Sequence, residues 1–494
     1  MKTTLFTYFL GPRGENTELF KKLIYKAIEW NKRWREDFFD DPSVYPEDFF
    51  SSEIYKIESE NLEKIFDEFL KRLEGNLPYF HPRYSAQMLK DPSIPALLAY
   101  FAVMLTNPNN HAYEGGPVTT EMEMEVVEDL LRLVGFKEGW GHLTSGGSLA
   151  NLEALWAVRD LRKDGIAVFS KGSHYSWKRI CSILKVDFVE IEVDENYRID
   201  LDQLESVLKK NKVMFVMANF GTTGAGAVDP LVEILNLKEK YGFHLHIDAA
   251  YGGYFRTLII DEAYKLIDFS MIDVPLKKFV YDNLLAIPEV DSLTIDPHKH
   301  GLVMYGAGGV LYKDENLRQV ILNTSPYTYH KKDKPNIGMF QLEGSRPGAS
   351  AAAVWLTHRV IPLNKNGFGE ILAQTLKTAN YFYGRIKNLD GFAPLTQPDL
   401  DIFCFYRHDG NFKLSDINRK TLRIYNHLSV ENPNAKFILS KFIVDKFTAQ
   451  KINPKFEIDD EYLTTLRSVF IKHWNTISEK NNYVDMLVDE LLKD

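Results

Sequence analysis

Between residues 16 and 34, Leu19, Phe20, Leu23, Ile24, Ala27 and Ile28 recur at helical spacing among lysines and glutamates. This predicts an amphipathic helix with one apolar stripe. The stripe must be covered, either by the chain itself or by a partner subunit, and the pattern alone does not choose. From about residue 78 to residue 330 the pattern changes to short β-branched runs separated by helical stretches, the alternation of a mostly parallel sheet with crossover helices. Strands are expected at 166–170, 188–193, 213–220, 243–247, 292–295 and 309–312. A helix carrying Leu149, Leu152, Leu155 and Trp156 is expected before the first of them. After an apolar stretch at 349–361 and a glycine-marked loop at 367–369, the remainder reads as a smaller α+β domain, with strands at 401–407 and 436–440, an element at 462–474 and a last helix. The expected division is an N-terminal helical segment (1–77), a large α/β domain (78–375) and a small C-terminal domain (376–494). There are neither internal repeats nor low-complexity tracts.

Length and composition fit this picture. A chain of 494 residues exceeds one ordinary core, so about two or three packed domains are expected. With 26% charged residues against 45% hydrophobic ones, the chain is neither disordered nor membrane-embedded in composition. A formal charge of −9 argues against broad nucleic-acid binding. Cys181 and Cys404 are too few for a disulfide framework and sit at no metal-ligand spacing, so a reducing cytoplasm is expected. The short apolar start runs into Gly11-Pro12-Arg13-Gly14-Glu15 without a small-residue cleavage site, no apolar run is long enough to span a bilayer, and Leu491-Leu492-Lys493-Asp494 carries no lipidation or retention motif. Neither a secretory signal nor a membrane partner is expected.

The chemistry concentrates in two phrases. Asp296-Pro297-His298-Lys299 lies downstream of His246-Ile247-Asp248-Ala249-Ala250-Tyr251. A lysine can condense with the aldehyde of pyridoxal phosphate, and a buried carboxylate can keep its pyridine nitrogen protonated, so that the ring accepts electrons. Lys299 and Asp248 suit those two tasks. Thr144-Ser145-Gly146-Gly147-Ser148 leads straight into a helix, where free N–H groups meet the positive helix end and make a phosphate seat. Taken alone, a glycine turn capped by Ser148 is the better reading, and only the downstream lysine and aspartate reverse it. His174 follows an expected strand and could stack on the ring, although a lone loop histidine is usually just surface. The small residues of 219–226 allow close backbone approach to a ligand, as they would in any tight turn. His244 and His246 share a strand face and with Asp248 could suggest a metal site. No further ligands accompany them, so Asp248 is assigned to the pyridinium instead.

In this order the residues resemble the group II pyridoxal-phosphate-dependent decarboxylases, the family of aromatic amino acid, tyrosine, glutamate and cysteine sulfinate decarboxylases. The match runs from Leu10-Gly11-Pro12 through His81-Pro82-Arg83-Tyr84, Asn107-Pro108-Asn109-Asn110, the glycine turn and the two phrases above to Gly344-Ser345-Arg346-Pro347-Gly348, most of the chain. The resemblance implies fold type I, with a mostly parallel seven-stranded sheet covered by helices on both faces, and an obligate homodimer with active sites at the subunit interface. It further implies that Gly147, Ser148 and His298 hold the phosphate, that His174 stacks on the ring, that Thr223 lies near the cofactor and that Lys299 bonds to it. Gly344 and Ser345 would reach the phosphate from the neighbouring subunit. Arg467 looks like the family arginine that receives the substrate α-carboxylate, a surface arginine on a late strand being the alternative. A loop tyrosine returns the proton in this family, and of Tyr327 and Tyr329 the first is assigned.

For the substrate the resemblance divides. The phrases around Ser145, Lys299 and Ser345 look most like bacterial tyrosine decarboxylases. Yet Gln87 stands where glutamate decarboxylases place an amide against the substrate side-chain carboxylate, and where tyrosine enzymes tend to carry histidine. His300, Leu302, Met304 and Gly306 also depart from the tyrosine enzymes' usual run after the lysine. The expectation is decarboxylation of an L-amino acid, aromatic such as tyrosine, to its amine and carbon dioxide. An acidic substrate, glutamate or aspartate, stays open. A carbon–carbon lyase or transaminase would keep the lysine, the aspartate and the phosphate seat but not the arginine or the loop tyrosine.

Overall fold

The structure, a computed structural model, describes residues 3–323, 336–477 and 481–493. The helix expected near the N-terminus is α1 (Thr17–Glu36), followed by α2 (Glu53–Leu73). Ser52 begins α2 by accepting the Tyr55 N–H on its hydroxyl, a side-chain cap. α1 rests on α3 (Ile94–Met104) and buries Asn31, leaving Tyr25, Ile28, Trp30 and Trp34 exposed. Among the described residues, α2 buries none of its own.

Helices α4 (Pro117–Val134) and α5 (Gly147–Arg162) flank strand β1 (Trp140–Thr144). The sheet continues with β2 (Ile166–Ser170), β3 (Phe188–Ile191), β4 (Val213–Asn219), β5 (His244–Asp248), β6 (Ser292–Ile295) and β7 (Gly308–Tyr312). Its order is β1-β7-β6-β5-β4-β2-β3. β7 is antiparallel to both neighbours, and the pairs between β3 and β6 are parallel. The central strands are buried on both faces, which is why β4 reads as the continuous run Val213-Met214-Phe215-Val216-Met217-Ala218 rather than an alternation. The carboxyl ends of β2, β4, β5 and β6 point the same way, so the loops that follow them share one edge, where α/β sheets collect ligands.

A second sheet of β8 (Phe392–Pro394), β9 (Ile402–Arg407), β10 (Ser440–Asp445) and β11 (Tyr462–Val469) is antiparallel in the order β10-β11-β9-β8. The helix Phe368–Lys387 serves two cores. Phe368, Ile371 and Leu376 pack beneath the large sheet, whereas Ala379, Phe382 and Ile386 join Phe403 and Phe405 in the small one.

Two expectations need correction. The apolar stretch at 436–440 is no ladder strand. Phe437 and Leu439 point into the small core, while Ile438 exchanges backbone hydrogen bonds with Arg83 and Ser85, at 2.9 Å each. The strand proper begins at Ser440. The element expected over 462–474 ends as a strand at Val469, after which the Phe470 N–H turns to the Asp401 carbonyl, 2.9 Å away.

Candidate active site

The turn between β1 and α5 is built around glycine. A Cβ on Gly308 would lie 2.5 Å from the Gly146 Cα, so β7 packs backbone to backbone against this turn. The Gly147 and Ser148 N–H groups belong to the first turn of α5, where no helix carbonyl reaches them. The Ser145 N–H donates to Glu343 Oε2 at 3.0 Å.

Facing this turn, a cavity of ≈ 400 Å³ takes in Gly147, Ser148, His174, Thr223, Asp248, His298 and Lys299. Seven of the residues singled out in the sequence therefore meet in one place. Asp248, at the end of β5, accepts the Asn151 side-chain N–H at 2.8 Å and the Trp177 indole N–H at 3.4 Å on Oδ2. Its other oxygen takes the Ala250 N–H at 3.3 Å. Neither Asn151 nor Trp177 was singled out. The signals were there, in the position of Asn151 one turn after Gly147 on α5 and of Trp177 three residues after His174.

Lys299 Nζ lies 3.0 Å from Asp296 Oδ2, and His298 Nε2 lies 3.4 Å from the same oxygen. Burial would pull the Lys299 ammonium below its ordinary value, but Asp296 and Asp248 outweigh it and hold the pKa up. Before it can attack an aldehyde, this ammonium must lose a proton, and Asp296 Oδ2 is in place to take it. Burial holds the His174 and His298 imidazoles below their ordinary pKa, against the pull of Asp248 and Asp296 respectively. Burial thus favours the uncharged form of both rings. His174 is fixed by the Ser176 hydroxyl, 2.8 Å from Nδ1. The His298 ring lies on Tyr305, with centroids 4.7 Å apart.

A second cavity of ≈ 310 Å³ shares His174 and Thr223 with the first and adds Gln87, Tyr175, Phe442 and Arg467. Arg467 is buried rather than on the surface. Its Nε donates to the Gly224 carbonyl (2.9 Å), Nη1 to the Ala86 carbonyl (2.9 Å) and Ser440 hydroxyl (3.1 Å), and Nη2 to the Thr223 carbonyl (2.7 Å). Four of the five guanidinium N–H groups are thereby used, and one on Nη2 is left for a ligand. Phe442 is pressed so closely on Gly224 that a Cβ there would collide with its ring. Gln87 is exposed at the cavity wall.

The remaining site expectations lie elsewhere. Ser345 is exposed and accepts the Asn109 side-chain N–H at 3.0 Å, outside both cavities described above. Its neighbour Arg346 is bound to Glu123 at 2.8 Å, a buried pair that anchors the segment on α4. Tyr327 and Tyr329 fall outside the described residues. The two strand histidines bind Ser292, with His244 Nε2 and His246 Nδ1 each 2.8 Å from its hydroxyl.

The residues present fit pyridoxal phosphate. Helix-terminal donors, an amine beside a proton-accepting carboxylate, a second carboxylate fixed by three donors and an imidazole all line one cavity. His298 Nδ1 and Asp296 Oδ1 are buried without a hydrogen-bond partner among the described residues. Such a site on a mostly parallel sheet defines a lysine-linked pyridoxal phosphate enzyme of fold type I.

The chain belongs to the pyridoxal-dependent decarboxylases, the family's conserved domain matching residues 46–407. It is 32% identical over 490 residues to the L-tyrosine decarboxylase of Enterococcus faecium, covering 80% of both chains. To the L-tyrosine decarboxylase of Levilactobacillus brevis it is 30% identical, covering 85% of this chain and 83% of that one. To the L-aspartate decarboxylase of Thermococcus kodakarensis it is 28% identical, covering 72% and 87%. The fold is that of mouse CSAD (TM-score 0.70, 19% identity, 96% and 98% of the two chains) and of Oryza sativa TDC solved with PLP and tryptamine (0.71, 16%, 96% of each). The protein is thus a pyridoxal-phosphate-dependent decarboxylase of amino acids.

Proposed function

We propose that the substrate is an L-aromatic amino acid such as tyrosine, converted to its amine and carbon dioxide by a cytoplasmic homodimer. The observation that carries the aromatic reading is the wall of the second cavity. Phe442 is wedged between Gly224 and Tyr197, whose ring it meets edge-on at 5.2 Å, and Tyr175 lines the same space. The flat ring of Phe442, held by Gly224 and Tyr197, suits an aromatic side chain. The similarity to the two tyrosine decarboxylases supports the same reading.

Bound pyridoxal phosphate would supply an electron-accepting ring for the electron pair that the broken Cα–carboxylate bond leaves on Cα. Lys299 would hold the cofactor through its amine, with Asp296 Oδ2 3.0 Å away to take the ammonium proton. Asp248, immobilised by Asn151 and Trp177, would keep the ring nitrogen protonated. His174 would lie against the ring. Gly147 and Ser148 would bind the phosphate through their N–H groups and His298 through its ring, with Ser345 of the neighbouring subunit completing the seat. The spare Nη2 donor of Arg467 takes the α-carboxylate, and Tyr327 returns the proton to Cα.

The dimer is supported by the N-terminal arm. Ile54, Leu62, Ile65 and Phe66 of α2 are all exposed, and an amphipathic helix keeps its apolar face out of water by covering it. The two buried thiols suit a reducing compartment.

An acidic substrate is the second reading, favoured by Gln87 together with Lys171 and Lys441 on the same cavity. The salt bridge of Lys171 to Glu192 at 2.5 Å weakens it. Carbon dioxide release by the cofactor-loaded protein, measured on single L-amino acids with the amines identified by mass, tests both. Release from tyrosine or its relatives supports the aromatic reading. Release from aspartate or glutamate alone overturns it in favour of Gln87, and release from neither class overturns both.

A further inference from the structure

Behind the cofactor cavity, one carboxylate from the small-domain side reaches both segments that carry the cofactor-binding side chains. Asp401, just before β9, is fully buried. Its Oδ1 accepts the Tyr251 hydroxyl at 2.6 Å, and its Oδ2 lies 3.3 Å from His300 Nε2. Tyr251 stands three residues after Asp248 and lines the cofactor cavity, and His300 directly follows Lys299. The His300 ring is held edge-on by Tyr251 and Phe255, with centroids at 4.6 and 4.9 Å. The Asp401 carbonyl in turn takes the Phe470 N–H, three residues after Arg467.

We propose that Asp401 and His300 form a buried carboxylate–imidazole pair that positions Lys299 against Asp248, and that its charge balance is felt at the Lys299 amine. The pair is a positioning device and touches neither cofactor nor substrate. A buried charge without a partner is costly, and the groups nearest the Asp401 carboxylate oxygens are the Tyr251 hydroxyl and His300 Nε2. Burial would push the Asp401 carboxyl up, but His300 and the Tyr251 and Thr375 hydroxyls outweigh it and hold it below the ordinary range. The other titratable groups facing the pair are Lys90, whose ammonium burial lowers to about 8, and Tyr251 itself, whose phenol burial pushes well up. Neither replaces His300, since Lys90 Nζ is turned to the Ile471 carbonyl at 3.3 Å.

The inference rests on the assignment of Lys299 as the residue that joins the cofactor. The test is a pH titration of the visible absorbance of the lysine-bound cofactor, together with the rate of cofactor loss. His300→Gln takes the imidazole away from Asp401 at the position directly after Lys299, so the titration midpoint should rise by about half a pH unit or more. Asp401→Asn removes the anion and should not raise it, and the double variant should return to the wild-type midpoint. Tyr251→Phe removes a tether without a charge, so cofactor loss should quicken while the midpoint stays. A merely structural role would quicken cofactor loss in every variant and move no midpoint, and that result would overturn the proposal. If His300→Gln does not fold, a raised midpoint in His300→Asn supports the pair and an unmoved one overturns it. Absorbance surviving in Lys299→Ala would overturn the Lys299 assignment and this inference with it, whereas an unmoved midpoint with a blank Lys299→Ala overturns the inference alone.

Discussion

Replacing Arg467 with lysine keeps a positive charge and removes a planar fork, which separates two explanations for this buried residue. The guanidinium bonds to the carbonyls of Gly224, Ala86 and Thr223 and the Ser440 hydroxyl, leaving one Nη2 N–H for a carboxylate. A lysine has three N–H groups on a single atom, so it cannot serve those acceptors and also present a fixed donor. The lost hydrogen bond between charged groups is worth about 1.5–3 kcal/mol, a decrease of about 10- to 150-fold in kcat/KM. The unpaired carbonyls cost about 1–3 kcal/mol of stability in addition, visible as a lower Tm. Steady-state carbon dioxide release gives the first number, and inhibition by the product amine supplies the control. Because the amine carries no carboxylate, its affinity should stay within about twofold of wild type. Substrate and amine weakening together, or kcat/KM within about twofold of wild type, would refute the carboxylate role and leave Arg467 as a structural cross-link.

Asp248→Ala should weaken cofactor binding by about 3–5 kcal/mol, the cost of stripping a buried cation of its partner, and abolish turnover; cofactor titration and carbon dioxide release check it, and retained decarboxylation would sink the assignment. Burial lowers the His244 imidazole from 6.5 to about 4, so the folded ring stays neutral where the unfolded one binds a proton. Its contribution is complete above pH 6.5 and is lost as pH falls towards 4, about 3 kcal/mol over that window. Unfolding of His244→Gln should therefore depend less steeply on pH between 6.5 and 4 than that of wild type, and equal slopes would contradict the reasoning. Charging the exposed face of α2 with Leu62→Glu and Phe66→Glu should shift sedimentation from dimer to monomer and remove activity with it; an unchanged mass would mean that this face covers something else.

The sheet was legible where burial on both faces makes a strand a dense apolar run. β2 and β6 lie at the expected positions, and β4, β5 and β7 within one residue of them at each end. β1 was not legible. Trp140-Gly141-His142-Leu143-Thr144 has neither alternation nor density, and what makes it a strand is the antiparallel ladder to β7, far away in sequence. The stretch at 436–440 misled for the opposite reason, since its apolar residues serve the small core while its backbone pairs with the segment around Tyr84.

A similar division runs through the site. Lys299, Asp248, His174, Thr223, Gly147, Ser148 and His298 could be picked out because each stands in a short phrase at a strand end, and the parallel sheet brings strand ends together whatever else varies. Arg467 is of another kind. Its four bonds end on the Ala86, Thr223 and Gly224 carbonyls and the Ser440 hydroxyl, three chain segments more than 100 residues apart from one another. Phe442 and Gln87 come from two of those segments, Thr223 from the third, and the second cavity is the seam between them. The residues of the first cavity are local in sequence, whereas those of the second come together only through the meeting of distant segments. That is why the sequence names the cofactor directly and divides over the amino acid: Gln87 read in its own phrase points to an acidic side chain, and the same residue at the seam shares its cavity with aromatic rings.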